Sequence, residues 1–430
     1  MPNPVTKIRF ANGLQVNLKE IHIAPLVSHW VWYRVGSRNE KPGKTGMSHW
    51  VEHMQFKGTP LFPNGNLDKA ISRQGGSWNA MTYLDWTAYY EKMPADHIDL
   101  ALRLEADRMT NSLYEPAEVE SERTVIISER EGKENEPLFR LDEAIQLAAF
   151  DRHPYRYEVI GDKQDLWKIT REDLYEHYRR YYTPNNMLIS VAGDFNTGEL
   201  LTRLEELYGG LPARSEIDDR VEIEQPLSAE RQIEVSGPGE TSYLRLAYRA
   251  PAASNPDFFV FTVLDSLLSG PSGLMMSGGG LSNKTSRLYR ALVEQKLAIS
   301  VSGGLQATID PFLYVITAIV HPHSTPQAVL QAIDAEIERL QSQQVAASEI
   351  SRAIKQARAL FAYGSENITN QAFWLGYSEM FSTYDWFIHY MQSLEQVTPK
   401  DVLRISQEYL QPARRVAGVY LPTGEEEVAA

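Results

Sequence analysis

His49, Glu52 and His53 stand close together in the run His49-Trp50-Val51-Glu52-His53. Two imidazoles and a carboxylate at this spacing can hold a metal ion and move a proton. If the run is helical, as its apolar neighbours imply, a rotation of about 100° per residue puts His49 and His53 one turn apart on one face. Glu52 then falls roughly 60° to one side of His49, still facing the same way. Two such imidazoles can share one Zn²⁺, and the carboxylate beside them can take a proton from a metal-bound water. Histidine is scarce, ten residues in 430. The pattern has odds on the order of one in a hundred of arising by chance, which favours a metal over two unconnected surface histidines.

A catalytic zinc needs a third protein ligand and an open position for water. The chain has no cysteine, so no thiolate can serve and the ligand must be a histidine or a carboxylate. The acidic stretch from 115 to about 133 offers several candidates. Glu122 and Glu129 lie two helical turns apart on one face. Glu118, Glu120, Glu131 and Glu134 are close by, and spacing alone does not choose among them.

These residues need elements to position them. Residues 26–35, rich in Val, Trp and Tyr, read as a strand. A polar loop follows over 36–45, Gly46 opens the helix of the histidine pair, and Lys57-Gly58-Thr59-Pro60 stops it near Phe56. Residues 7–20 alternate around Asn12-Gly13 as strand, turn, strand. After Gly75-Gly76, aromatic and β-branched residues recur between polar ones up to Tyr90, a strand-like pattern. Helices are expected over 66–74, 95–111, 115–133, 140–150, 170–182 and 197–208, with Thr170 and Asp173 as a cap, and a strand over 187–192.

Residues 211–229 lack apolar periodicity and carry Pro212 and Pro226, as a linker would. Beyond them the order of elements repeats. Strands are expected over 231–235, 243–248, 298–305, 312–320 and 415–420, and helices over 257–268, 286–294, 325–344, 348–363 and 398–410. Thr398 and Asp401, followed by Val416-Ala417-Gly418, repeat the plan of Thr170 and Asp173, followed by Val191-Ala192-Gly193. That points to a duplicated α+β unit of about 200 residues, with domains over 1–210 and 230–430. The second copy has no histidine pair in its matching helix, 257–268.

The formal net charge of −14 argues against nucleic acid or an anionic membrane surface as the main partner. A hydrophobic fraction of 43% and a charged fraction of 23% are those of a soluble globular protein. The first residues show no basic segment leading into an apolar one. The most apolar run, 258–268, is broken by Asp265 and too short to span a bilayer. A cytoplasmic location is the expectation.

Three stretches together carry a resemblance. They are His49 to His53, the run Gly75-Gly76-Ser77-Trp78-Asn79-Ala80-Met81-Thr82 with its continuation to Tyr90, and Glu122-Arg123-Thr124-Val125-Ile126-Ile127-Ser128-Glu129. They resemble the pitrilysin family of zinc peptidases, which includes insulin-degrading enzyme and mitochondrial processing peptidase. The order H-x-x-E-H is the inverzincin arrangement. The resemblance implies that Glu129 is the third metal ligand, that Glu122 is the carboxylate supporting the site, and that each chain holds one Zn²⁺. It implies Glu52 as general base. It also implies that Asn79, Ala80 and Met81 lie on a strand to which an extended peptide adds by edge pairing. The expected fold is α+β, two homologous domains, each an antiparallel-rich sheet packed with helices.

The sequence departs from the family in one place. Members with a complete site carry an Arg and a Tyr in the second domain, in a run like S-R-L-x-x-x-L-R-E-x-x-G-L-A-Y-S-V. The corresponding run here goes from Ser286 to Val301. Val293 stands where the Arg is expected, Ile299 where the Tyr is expected, and one glycine is missing. Neither apolar side chain can donate a hydrogen bond to an oxyanion. Small bacterial members often work as two similar chains, one with the metal and one with the Arg/Tyr pair. This chain resembles the metal-bearing one.

The resemblance thus implies a zinc metalloendopeptidase subunit acting on short or unfolded peptides. Its partner would be a homologous Arg/Tyr-bearing subunit in a heterodimer, with a homodimer as the other assembly. The competing function is a non-catalytic assembly or scaffold subunit of the same family. The glycine-rich stretch 270–286 lacks the Gly-Lys-Ser/Thr ending of a phosphate loop. A loop at a similar place in the mitochondrial enzyme's non-metal subunit gates substrate access.

Overall fold

The computed structural model describes residues 4–63, 66–214, 217, 220–271 and 282–424. Most of the glycine-rich stretch 270–286 therefore lies outside the described residues.

Alternating and β-branched runs form the strands β1 (Thr6–Arg9), β2 (Gln15–Glu20), β3 (Leu26–Tyr33), β4 (Ser77–Thr82), β5 (Thr87–Pro94) and β6 (Met187–Gly193). They are followed by β7 (Arg231–Gly237), β8 (Tyr243–Arg249), β9 (Ala298–Leu305), β10 (Leu313–Val320) and β11 (Arg415–Pro422). Two sheets result, in the orders β1-β2-β6-β3-β5-β4 and β7-β11-β8-β10-β9. In the first, β2 and β6 are parallel and every other pair is antiparallel. In the second, β7 and β11 are parallel and the rest antiparallel.

Apart from β1, the two sheets have one topology. The strand pairs β2 and β7, β3 and β8, β4 and β9, β5 and β10, β6 and β11 occupy matching places. The helix Met47–Met54 lies between β3 and β4 in the chain, and Asp257–Leu268 lies between β8 and β9. The fold is α+β and duplicated. Thr170 and Thr398 each form the capping box read from the sequence, with Asp173 and Asp401.

Each compact unit borrows from the other's stretch of sequence. One gathers the residues up to Arg130 with Tyr157–Val221 and Ser365–Tyr384. The other gathers Glu131–Arg156, Glu222–Gly364 and the residues from Asp385 on. The helix Ile368–Phe381 packs on β3 and β6, and the helix Pro137–Ala149 packs on β11 and β7. A single division of the chain at 211–229 leaves out this exchange. The sequence hides it because every residue from Ala372 to Phe381 is buried. A helix buried all round shows no polar stripe from which its period could be read.

Two further differences are local. Residues 75–90 form a hairpin rather than one strand, with Tyr83 N donating to Trp86 O at 2.8 Å. The turn Tyr83-Leu84-Asp85-Trp86 contains no glycine or proline to announce it. The expected helix 286–294 forms over residues 287–293, widening into a π turn over Tyr289–Val293. Among the described residues, no helix is long and apolar enough to cross a membrane.

The helix Ile368–Phe381 is anchored by polar groups that the first sheet would otherwise bury unpaired. Asn17 Nδ2 donates to Leu375 O at 2.9 Å, and Ser190 Oγ donates to Ala372 O at 2.8 Å. Trp32 Nε1 donates to that serine hydroxyl at 3.0 Å. The Trp32 indole lies so close to Gly376 that a Cβ there would meet Nε1 at 2.0 Å. Gly376→Ala is therefore expected to destabilise the protein by about 1–3 kcal/mol through overpacking, despite alanine's better helix propensity. A thermal unfolding midpoint equal to that of the parent would show that the helix has room to shift.

Candidate metal centre

The helix Met47–Met54 leaves Gly46 at φ +88°, where a Cβ would also lie 2.6 Å from Ile160 O. Trp50, Val51 and Met54 are buried, which turns the imidazoles of His49 and His53 away from the core. Their side chains are 13% and 21% exposed. The two rings meet edge to face with centroids 4.6 Å apart. The helix Pro116–Glu134 brings Glu129 to them. Its Oε2 is 3.7 Å from His49 Nε2 and 3.8 Å from His53 Nε2.

One donor atom from each of the three residues falls within 4.8 Å of the others. Three donors each about 2.1 Å from a tetrahedral ion stand about 3.4 Å apart. The set therefore fits a zinc-sized ion with only a small closure. Two nitrogens and one carboxylate oxygen are also the donor types zinc accepts.

Glu122 sits behind this group. Its Oε1 is 2.8 Å from His53 Nδ1. That contact puts the ring proton on Nδ1 and frees Nε2 to ligate. The other Glu122 oxygen meets the Lys57 ammonium, which also lies 3.9 Å from Glu118. Burial pushes Glu122 up, but the hydrogen bonds and charges of His53 and Lys57 outweigh it and hold the carboxyl below its ordinary value. Burial pulls His53 down. The Glu122 hydrogen bond and the charges of Glu52, Glu122 and Glu129 outweigh that, so the metal-free imidazole sits above its ordinary value.

Glu52 is buried on the same helix, and Thr82 Oγ1 donates to its Oε2 at 2.6 Å. Burial raises its pKa against the pull of Thr82 and His53, and Glu129 adds to the rise. A carboxylate poised nearer to neutrality is a better proton carrier than an ordinary one. A cleft of about 300 Å³ opens here, lined by Glu52, His53, Phe56, Lys57, Asn79 and Glu122. Asn79 comes from β4, the outermost strand of its sheet. Its Oδ1 accepts from Ala80 N at 2.9 Å. Ala80 and Met81 lie on the same edge strand, half-buried, outside the cleft wall.

Three of these residues were not picked out from the sequence. Lys57 lies just past the end of the histidine helix, so helical spacing gave no signal for it. Thr82 had none, since only the hairpin brings it to Glu52. Arg108 had none either. It is fully buried, with its guanidinium 4.1 Å from the Tyr89 ring centroid and 5.6 Å from those of Phe56 and Trp78. Arg108 Nε donates to Glu105 Oε2 at 2.8 Å, and His29 Nδ1 lies 2.8 Å from Glu91 Oε2. Burial pushes both carboxyls up and pulls His29 down to about 4.

Residues 15–163 match the family model described as Insulinase (Peptidase family M16), and residues 168–357 match that described as Peptidase M16 inactive domain. The chain belongs to peptidase family M16. The matched first segment contains the whole His49, His53 and Glu129 group. In the segment matching the model called inactive, the corresponding helix Asp257–Leu268 carries no histidine. Among M16 relatives, an uncharacterized zinc protease of Mycobacterium bovis is 28% identical over 402 residues, 93% of this chain and 89% of its own length. Mitochondrial-processing peptidase subunit beta of Dictyostelium discoideum is 27% identical over 338 residues, 77% of this chain and 71% of its own. The crystal structure of a protease from Helicobacter pylori matches with a TM-score of 0.90 at 25% identity, covering 98% of this chain and 100% of that one.

Zinc binding needs His53 without its Nε2 proton. Because the metal-free imidazole is raised, zinc affinity should be full at pH above that raised value and fall as the pH drops through it. Glu122→Gln should weaken zinc by about 10–100-fold, measured by competition with a chromogenic chelator. Parent-like affinity in that variant would mean that Glu122 does not orient His53.

Proposed function

We propose that the chain is a zinc metalloendopeptidase subunit that hydrolyses peptide bonds in short or unfolded peptides. The observation that carries this reading is the convergence of His49, His53 and Glu129 on one point beside the buried carboxylate of Glu52. A Zn²⁺ held by those three residues, one per chain, would supply a Lewis acid and a water whose pKa falls towards about 7. Mn²⁺ or Co²⁺ would also suit the donor set in vitro.

The chain's own residues would do the rest. Thr82 occupies Glu52 Oε2 and leaves Oε1 to receive the proton of the attacking water. Glu52 then returns that proton to the leaving amine. Glu122 keeps the His53 ring turned with Nε2 outward. The free edge of β4, at Asn79, Ala80 and Met81, offers its main-chain groups to an extended peptide. A folded segment could not pair in this way, which supports short or unfolded substrates.

The reading includes a partner. Ile299 stands half exposed on β9 and Val293 ends the turn Tyr289–Val293. Neither can stabilise an oxyanion, and loss of such donors typically costs about 10²–10³ in rate. A homologous subunit carrying the Arg/Tyr pair would supply them in a heterodimer. The relative from Dictyostelium is itself named as a subunit. The same two residues favour the second reading, a non-catalytic assembly or scaffold subunit. A homodimer would be a slow enzyme.

A quenched peptide library separates the readings. Cleavage is expected for the chain mixed with its homologous partner, little for the chain alone, and none for Glu52→Gln in either case while zinc stays bound. Full activity of the isolated chain would remove the need for a partner. Bound zinc without cleavage in any mixture would favour the scaffold.

A further inference from the structure

The helix of the histidine pair has no cap of its own. Gly46 precedes it and has no side chain to accept a hydrogen bond. The first amides of any helix lack partners within it. Here Glu40 takes them up from six and eight residues upstream. Its Oε2 accepts from Gly46 N at 2.7 Å and its Oε1 from Ser48 N at 2.6 Å. Glu40 is buried, so water cannot replace either bond. Burial pushes the Glu40 carboxyl up to about 8, against the pull of those two amides.

The loop that carries Glu40 is tied at its other end to the substrate strand's hairpin. Ser37 N donates to Tyr83 O at 3.2 Å and Arg38 N to Leu84 O at 2.8 Å. Ser48 Oγ donates back to Gly36 O at 3.0 Å. A Cβ at Gly36 would lie 2.3 Å from Tyr83 O, so the loop lies directly on that turn with no slack. One short segment therefore holds the helix bearing His49, Glu52 and His53 on one side. On the other it holds the turn that ends β4, just past Thr82 and its bond to Glu52.

From this arrangement we infer that Glu40 is a positioning residue of the metal centre: by fixing the first helical turn it sets the direction in which His49 approaches the metal. His49 directly follows Ser48, whereas His53 lies a turn further on and has its own anchor in Glu122. Loosening the first turn moves one imidazole relative to the other. The inference rests on the proposed metal reading.

The test uses the chain with Glu40→Gln, which keeps size but offers one acceptor where two are needed, and Glu40→Asp, which keeps the carboxyl but shortens the reach. Cobalt(II) is loaded in place of zinc, and its visible absorption reports the ligand geometry. Both variants are expected to show a changed cobalt spectrum, Glu40→Gln the larger change. Glu40→Gln is expected to bind zinc at least about 10-fold more weakly in chelator competition. In metal-free Glu40→Gln the amides of residues 46–49 should exchange hydrogen faster. A lowered unfolding midpoint with a parent-like cobalt spectrum and zinc affinity would overturn the inference, leaving Glu40 a stability residue and the metal reading intact. Should Glu40→Gln not fold, a parent-like spectrum in Glu40→Asp would overturn it equally. A parent protein that binds neither metal would overturn both readings.

Discussion

The hydrogen bond between His53 Nδ1 and Glu122 is the interaction on which the candidate site depends. It joins two helices that are far apart in the chain, and does so with charge behind it, because Lys57 closes on the other carboxylate oxygen. Fixing Glu122 against His53 also fixes Glu129, two turns further along the same helix, opposite the two imidazoles. The three candidate ligands thus need no contact with one another to stay in register. A carboxylate that is already hydrogen-bonded and ion-paired costs less to bury than a bare one.

Around that bond the chain uses its duplicated unit in two ways. Both units carry the same five-stranded topology with a helix between the second and third of the shared strands in chain order. In the first, that helix presents two imidazoles and a carboxylate. In the second, Asp257–Leu268 is buried along almost its whole length and presents no metal ligand. Its one buried acid, Asp265, accepts from Tyr314 Oη at 2.9 Å. A helix given over to packing cannot also open a cleft. The division of labour between the copies follows from which face each helix turns towards water.

Buried ionisable groups are the other recurring theme. Glu40, Glu91, Glu105, Glu122 and Arg108 are all buried in the unit that holds the site. Each is tied to partners: main-chain amides for Glu40, His53 and Lys57 for Glu122, and one another with His29 for the rest. Lone buried charges would be destabilising, whereas sets whose members satisfy each other hold elements at fixed distances. The guanidinium of Arg108 packs against Phe56, Trp78 and Tyr89, and of these rings Phe56 lines the cleft.

The sequence by itself determined what depends on residues within a turn or two of each other. His49 and His53 share a face because helical geometry puts i and i+4 there. The caps at Thr170 and Thr398, most strands and the repeat of elements were legible for the same reason, since local periodicity and turn chemistry act over a few residues. What the tertiary structure alone decided involves residues brought together by packing. It set Glu129, which the family resemblance implied but spacing left open, against both imidazoles. It folded 75–90 into a hairpin that carries Thr82 to Glu52, sent the helix Ile368–Phe381 back to the first sheet, and set Glu40 on the first turn of the histidine helix. Spacing along a chain reports neighbours on one element, whereas those contacts cross elements, and burial of apolar surface chooses between elements without regard to their distance in sequence.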